Sequence, residues 1–256
     1  MIELERLERG IARVTIDRPQ ARNAMTFAMW DRLRELALDL AVDPALSAVI
    51  FTGGGDSAFV SGTDIAEFRG FGENDGVAYE RRMEGVMLAV EAIPVPTIAA
   101  IAGACTGGGA ALAACCDLRI GAPNARIGVP VARTLGNGLS IGNLARVAHL
   151  IGLDATKLLL LTGTLLGAAE AHRAGFLTHL VPEGESLSSH AQELAMELAT
   201  LAPLTLRATK ESCRRLRESG PAADDEDVLR TLYGSRDFAE GVASFVARRP
   251  ANWRGD

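Results

Sequence analysis

A short apolar strand, a run of glycines and an alanine-rich helix follow one another near the middle of this chain, and few folds accommodate that order. Thr97–Ile101 is an uninterrupted β-favouring stretch, Gly103-Ala-Cys-Thr-Gly107-Gly108-Gly109 follows it, and Ala110–Cys115 reads as the helix. Glycines at such a junction either cradle a phosphate or let a helix and a strand pack closely. A Walker loop requires Lys-Ser/Thr after the last glycine, and Ala110-Ala111 stands there instead. A dinucleotide fingerprint requires G-x-G-x-x-G directly after the first strand of the fold, with an acid about 20 residues on. The run meets neither requirement, so a nucleotide-binding module is not expected.

The flanking sequence predicts repeated strand–strand–helix units. Ile2–Leu7 and Ile11–Ile16 are β-branched runs with Arg9-Gly10 between them, a hairpin signal. Thr26 is a candidate N-cap for a helix whose Phe27, Trp30, Leu33, Leu36, Ala37 and Leu40 share one face, and Pro44 helps to end it. Ala48–Thr52 reads as a buried strand entering Gly53-Gly54-Gly55. Val77–Ile93 has helical spacing at Met83, Val86, Met87 and Val90 and stops before Pro94 and Pro96. Further short strands are expected at Leu118–Gly121, Ala125–Gly128 and His179–Val181. Helices are expected near 140–151, 154–162, 167–174, 184–200, 203–218, 224–236 and 237–248. No long Ser/Pro/Gly linker interrupts the chain, so residues 1–200 read as the core and 201–256 as a helical region packed on it or on another subunit.

Composition removes several classes of function. The 256 residues are 48% hydrophobic and 23% charged, enough for a sizeable core and unlike a disordered chain. Net charge is −6 and Lys and Arg are scattered, so no nucleic-acid partner is expected. The opening MIELERLERG carries acids where a signal peptide needs an apolar stretch, and no long uncharged apolar run suggests a membrane span. Cys105, Cys115, Cys116 and Cys213 have neither disulfide-framework nor zinc-site spacing, and read as buried reduced thiols of a cytoplasmic protein. His149, His172, His179 and His190 likewise lack metal-ligand spacing, so no metal is expected.

Four segments together resemble the enoyl-CoA hydratase/isomerase (crotonase) family: VTIDRPQARNAM (14–25), GGGDSAFVSGTDIAEF (53–68), PVPTIAAIAGACTGGGAALAACCDLRIGAPNARIGVP (94–130) and LLLLTGTLLGAAEAHRAGFLTHLVP (158–182). The resemblance implies an α/β crotonase (ClpP/crotonase-like) fold of stacked strand–strand–helix repeats. It also implies a C-terminal helical region that supports a homotrimer or a hexamer built as a dimer of trimers. The implied ligand is an acyl-CoA, whose coenzyme A is part of the substrate, so no separate cofactor is expected. Its thioester oxygen would be gripped by the backbone N–H groups of Thr63 and Gly108. Such an oxyanion hole stabilises the enolate-like charge that develops when a proton leaves the α-carbon or a nucleophile adds at the β-carbon. Substrate-binding positions carried over from the family are Arg22, Ala24, Ser61, Asp64 and Ile65, with Arg22-Asn23 toward the CoA nucleotide. Asp64 also suits an N-cap for a short helix beginning at Ile65.

The chain departs from the family where the acids should be. Hydratases of the family carry one glutamate two residues after the glycine run and another after the proline that ends the third segment. Here those positions are Ala111 and Val131, and the only acid between Glu91 and Asp154 is Asp117, which fits a structural role. Two carboxylates are needed to deliver a water and return a proton by that route. Acid/base or polar substitutes are sought at Glu67 first, then at Arg133 and Asn137. Tyr79, Glu80 and Glu84 lie on the next helix, which borders the acyl pocket in relatives, and are further groups within reach of the site. A solvated helix face fits them and Glu67 better, and Ser140 suits an N-cap for the helix at 140–151. Two functions remain open: an acyl-CoA lyase or isomerase with displaced acid/base groups, and a CoA-thioester binding protein that has lost catalysis. The discriminating feature is whether any carboxylate, imidazole or phenol reaches the substrate carbons.

Overall fold

A computed structural model describes residues 1–256. The opening hairpin forms as predicted. Strand β1 (Ile2–Arg6) pairs antiparallel with β2 (Ile11–Ile16), and Arg9 and Gly10 take positive φ between them, at 55° and 72°. Thr26 caps α1 (Phe27–Ala41) by accepting from the Met29 N–H at 3.3 Å. Trp30, Leu33, Leu36, Ala37 and Leu40 of α1 are buried, while Phe27 is only half-buried and joins an aromatic group at the rim of the site.

Three successive units then each add one strand to a first sheet, one short strand to a second, and a helix. The first is β3 (Ala48–Gly53), β4 (Ala58–Val60) and α2 (Glu73–Glu91). Next come β5 (Thr97–Ile101), β6 (Ala104–Thr106) and α3 (Gly108–Cys115), then β7 (Leu118–Gly121), β8 (Arg126–Gly128) and α4 (Ile141–Thr162). After α4 follow β9 (Leu166–Gly167), α5 (Ala168–Arg173) and β10 (His179–Leu180). The first sheet runs β1-β2-β3-β5-β7-β10, parallel beyond the hairpin, and the second runs β4-β6-β8-β9. The spatial order follows chain order within each sheet, as stacked repeats require.

Helix α3 is buried on every side from Gly109 to Cys115, which its alanine-rich composition permits. A Cβ at Gly109 would lie 2.0 Å from the Val60 carbonyl oxygen, so only glycine lets the helix meet β4 this closely.

Several elements differ from the sequence expectation. Helix α2 starts at Glu73 rather than Val77, because the Asp75 carboxylate accepts the Gly72 N–H at 2.9 Å and stabilises a polar first turn. The segments expected at 140–151 and 154–162 form one element bent at Gly152 (φ 76°, ψ 160°). Strands β4, β6 and β9 were not predicted, being too short to show a periodicity.

The C-terminal chain packs in two ways. Ala191 and Ala195 of α6 (Leu187–Leu198) join Ile11, Ile50, Ile98, Ile120 and Val181 in a second buried cluster over the first sheet. Helix α7 (Pro203–Ser219) buries no residue completely, and α8 (Glu226–Tyr233) and α9 (Arg236–Ala247) leave Tyr233, Val242, Phe245 and Val246 exposed. Lys210 of α7 donates to the Val95 carbonyl at 2.9 Å and to Asp117 at 2.5 Å. Asp117 also accepts from the N–H and hydroxyl of Thr97, at 2.7 and 2.8 Å, so it joins β5, β7 and α7. Cys105, Cys115 and Cys116 are buried as expected, and burial pushes the Cys116 thiol up to about 12. Cys213 is exposed, contrary to expectation, because it lies on the outer side of α7.

Arg146 of α4 fastens α2. Its guanidinium donates to both carboxylate oxygens of Glu84, at 2.9 and 2.8 Å, and to Glu91 at 2.8 Å. The Arg146 side chain is 3% exposed and that of Glu91 7%, and Arg217 binds Glu91 as well. Burial drives the Glu91 carboxyl up, but the two arginines outweigh it and hold it below its ordinary range. Arg146→Ala leaves Glu84 without a cation and Glu91 held by Arg217 alone, and we expect a loss of about 3 kcal/mol in urea unfolding at neutral pH. A carboxyl depressed in the folded state stabilises above its unfolded pKa and ceases to do so as pH falls through the folded value. The gap between wild type and variant should therefore narrow on acidification below roughly pH 4.3.

Candidate active site

The second sheet ends at the site. Strand β4 runs into Ser61-Gly62-Thr63, where Gly62 takes φ 113°, and β6 runs through Gly107 (φ 56°) into the first turn of α3. The two turns abut: a Cβ at Gly62 would lie 3.9 Å from the Gly108 nitrogen, and one at Gly107 would lie 3.9 Å from the Gly62 Cα. Met25 clips the first turn, donating its N–H to Gly62 and accepting from Asp64, both at 2.9 Å. That bridge uses neither the N–H nor the C=O of Thr63. The Gly108 N–H is the first of α3 and has no partner within the helix. Both amides lie on a cavity of about 250 Å³ lined by Thr63, Tyr79, Glu80, Gly108, Ala111 and Val131, among others. Two backbone donors, one at a helix N-terminus, suit an oxygen that gains negative charge.

The Thr63 side chain is fully engaged. Its hydroxyl accepts from Trp30 Nε1 at 2.9 Å and shares a 2.8 Å hydrogen bond with the Tyr79 hydroxyl. Tyr79 packs edge-on against Phe68, with ring centroids 4.9 Å apart, and Phe27 and Phe71 complete the aromatic group. Burial raises the Tyr79 phenol, and the bond from Thr63 partly offsets this. The phenol therefore stays protonated and presents a hydrogen-bonding O–H at the cavity wall. A Cβ at Gly108 would come 2.9 Å from Trp30 Cζ2, so Trp30 both holds Thr63 and requires glycine at 108.

The substrate-binding positions carried over from the family divide. Ser61 and Ile65 line the cavity; the Ser61 carbonyl accepts from the Thr106 hydroxyl at 2.9 Å, and Ile65 is 62% exposed. Asp64 caps the short helix Ile65–Phe68 through the Ala66 N–H at 3.0 Å, as expected, and is bound by Arg18 at 2.7 Å. The Arg18 guanidinium holds its carboxyl below the usual range, and the same group donates to the Ala24 carbonyl at 3.0 Å. Arg22 is exposed at φ 50° on the neighbouring turn and lines no part of the cavity. Asn23 is wholly buried; its side chain joins the Arg18 N–H to the carbonyls of Gly54 and Ala58, which makes it a structural strut.

The polar substitutes divide too. Asn137 reaches the cavity. Glu67 does not: its carboxylate accepts the Phe27 N–H at 3.3 Å, at the N-terminus of α1 where a helix favours negative charge. Arg133 turns away and donates to the Thr162 carbonyl at the end of α4, against Gly163. Ser140 caps α4 as expected, accepting from Asn143 at 3.5 Å.

Glu80, assigned from sequence to a solvated face, lies on the cavity instead. It also borders a larger chamber of about 1000 Å³ between α2 and residues 135–142. The two spaces share Phe68, Tyr79, Glu80, Leu135, Asn137, Gly138 and Leu139, so one opens into the other. Glu84, one turn on, is neutralised by Arg146, whereas Glu80 has no cationic partner. Burial raises the Glu80 carboxyl and Glu84 adds to this, while Ser140 partly offsets it. The available signal was spacing: Glu80 precedes buried Met83 and Met87 by three and seven residues, next to the inward stripe of α2. No group of three or more His, Cys, Asp or Glu side chains is placed to hold a metal ion.

Comparison with known proteins points to one family. The family model described as enoyl-CoA hydratase/isomerase matches residues 6–256. The human "Enoyl-CoA hydratase domain-containing protein 2, mitochondrial" is 32% identical over 255 residues, covering 97% of this chain and 87% of its own. "Crotonyl-CoA hydratase" of Syntrophomonas wolfei is 31% identical over 249 residues, covering 96% of this chain and 95% of its own. A crystal structure of an enoyl-CoA hydratase/carnithine racemase from Magnetospirillum magneticum superposes with a TM-score of 0.92. It is 33% identical and covers 100% of this chain and 96% of the other.

Thr63→Val keeps the backbone N–H but leaves Trp30 Nε1 and the Tyr79 hydroxyl without their shared partner. We expect a loss of about 1–3 kcal/mol in chemical unfolding. The chain has 2 tyrosines, so in a Tyr233→Phe background only Tyr79 ionises. Its alkaline absorbance transition should move to higher pH in Thr63→Val, because the bond that favours the phenolate is gone.

Proposed function

The chain belongs to the enoyl-CoA hydratase/isomerase family, and on that footing we propose that it binds acyl-CoA thioesters and polarises their carbonyl with the Thr63 and Gly108 amides. The observation that carries this is the abutment of the Gly62–Thr63 turn and the N-terminus of α3 at one cavity, with two amides left without helical or bridge partners. Hydration by the two-glutamate route is not the reaction. Ala111 and Val131 present a methyl and an isopropyl group to the cavity, and neither orients water or carries a proton. The protein is thus a lyase or isomerase of its family with its acid/base chemistry displaced. Coenzyme A enters only as part of the substrate.

A thioester-binding protein without catalysis is the second reading, and the same two apolar positions favour it. A carboxylate on the cavity, Glu80, favours the enzyme. We also propose that the chain self-associates, as a trimer or a dimer of trimers. The exposed Tyr233, Val242, Phe245 and Val246 of the C-terminal helices supply an apolar surface that suits a second copy. The buried thiols fit a reducing compartment such as the cytoplasm.

The test is a mixed panel of 2-enoyl-, 3-enoyl- and 3-hydroxyacyl-CoA thioesters in deuterated water, read by mass spectrometry. Deuterium entering at carbon establishes enolate formation, and the labelled thioester identifies the reaction. Binding without label leaves the non-catalytic reading. Gly108→Pro removes one donor and should slow labelling about 100- to 1000-fold. It also pushes a Cβ onto Trp30, so Gly108→Ala, with the same contact but an intact N–H, must stay well above it.

A further inference from the structure

We infer that Glu80 is the group that moves the proton in this pocket, carrying it between the α- and γ-carbons of an unsaturated acyl thioester with a long apolar tail. The inference rests on the thioester-binding proposal and assigns its chemistry and its substrate class.

The geometry isolates Glu80. It is the only carboxylate lining the cavity that holds the Thr63 and Gly108 amides, and no Lys, Arg, His or Cys lines that cavity. The neighbouring acids are all engaged: Asp64 by Arg18, Glu67 by the Phe27 N–H, and Glu84 by Arg146. Tyr79, beside it, is bound to Thr63, and burial keeps its phenol protonated, so it serves as a donor rather than a base. Burial raises the Glu80 carboxyl, the direction that makes a carboxylate a better base and its conjugate acid longer-lived.

One carboxylate with no second one beside it suits a proton shuttle better than the addition of water. In a 3-enoyl thioester Glu80 takes the α-proton. The C–H bond breaks and its electron pair spreads into a dienolate whose oxygen the two amides hold. Carboxylic Glu80 then returns the proton to the γ-carbon, a new C–H bond forms there, and the double bond settles between the α- and β-carbons. Nothing is consumed and no co-reactant is needed. Hydration would require a water held while a proton returns, and Ala111 and Val131 offer no group to hold it.

The same placement defines the substrate. Glu80 stands where the cavity opens into the chamber of about 1000 Å³, whose walls include Phe68, Phe71, Val77, Leu139 and Ile141. Acyl carbons beyond the γ-position therefore pass Glu80 toward these apolar side chains, with Glu73, Arg81 and Glu84 also on the chamber wall.

The experiment follows conversion of 3-decenoyl-CoA to its conjugated 2-enoyl isomer by chromatography and ultraviolet absorbance, for wild type and Glu80→Gln. Mass spectrometry in deuterated water reports exchange, and decanoyl-CoA binding is measured by calorimetry. Wild type should yield 2-decenoyl-CoA, carrying deuterium only in molecules whose Glu80 proton exchanged with solvent before its return, and should turn over 3-butenoyl-CoA more slowly. Glu80→Gln should lose about 100-fold or more in turnover while binding decanoyl-CoA within about threefold of wild type. Turnover within about threefold of wild type in Glu80→Gln overturns the inference. So does loss of decanoyl-CoA binding in that variant, which would make Glu80 a binding group. Binding of decanoyl-CoA by wild type without conversion removes the role of Glu80 and leaves the thioester pocket standing. Failure of wild type to bind decanoyl-CoA removes both.

Discussion

The approach of α3 to the end of β4 is the contact on which the rest of the site depends. A side chain at 109 would strike the Val60 carbonyl, and one at 108 would strike Trp30, so both positions must be glycine for the helix to enter at this depth. Once there, α3 lays its first amide beside the Gly62–Thr63 turn and is enclosed by core on all sides. The same closeness joins two neighbouring strands of the second sheet, because β4 and β6 are the short strands that lead into these turns. A backbone donor pair made in this way is rigid before any ligand arrives, which is the condition for stabilising a developing charge without reorganisation.

Helix α2 forms the opposite wall, and ionic contacts hold it. Arg146 takes both Glu84 and Glu91, while the chain of hydrogen bonds from Trp30 through Thr63 to Tyr79 joins α1, the donor turn and α2. Neighbouring acids on one helix thereby have different fates. The one facing α4 is neutralised by a buried guanidinium, and the one facing the cavity is left unpaired in partly desolvated surroundings. A turn of helix is enough to separate a structural ion pair from a group available to chemistry.

Much of this was legible from the residues. The strands of the first sheet, the capped α1, the buried α3, the Asp64 cap and the structural Asp117 follow from β-branched runs, capping residues and the glycine junction. Of the second sheet only β8 was, since strands of two or three residues carry no period. Choosing among the acids failed for a related reason. Glu67 stands close in sequence to the donor turn, but a short helix ending near the start of α1 turns its carboxylate onto the Phe27 N–H. Glu80 looked like a solvated position because its helix carries many charges, and only the packing of residues 135–142 over α2 encloses it. Sequence spacing identifies which face of a helix is buried, not what a distant loop lays over its edge.

On the proposed reading, apolar residues at 111 and 131 are compatible with enolate stabilisation because the donors are backbone amides. An oxyanion hole made of amides survives any substitution that preserves the turn and the helix entry, whereas side-chain acids disappear with one codon. The larger share of enolate stabilisation therefore persists when positions 111 and 131 become apolar, and the remaining requirement is a single proton carrier at the right depth. That requirement is less demanding than positioning a water between two carboxylates, and any acid on the facing helix that escapes ion pairing can meet it. Ala111 and Val131 add no charge to that cavity, so the raised Glu80 carboxyl reflects its burial first, with Ser140 lowering it and the neighbouring Glu84 raising it.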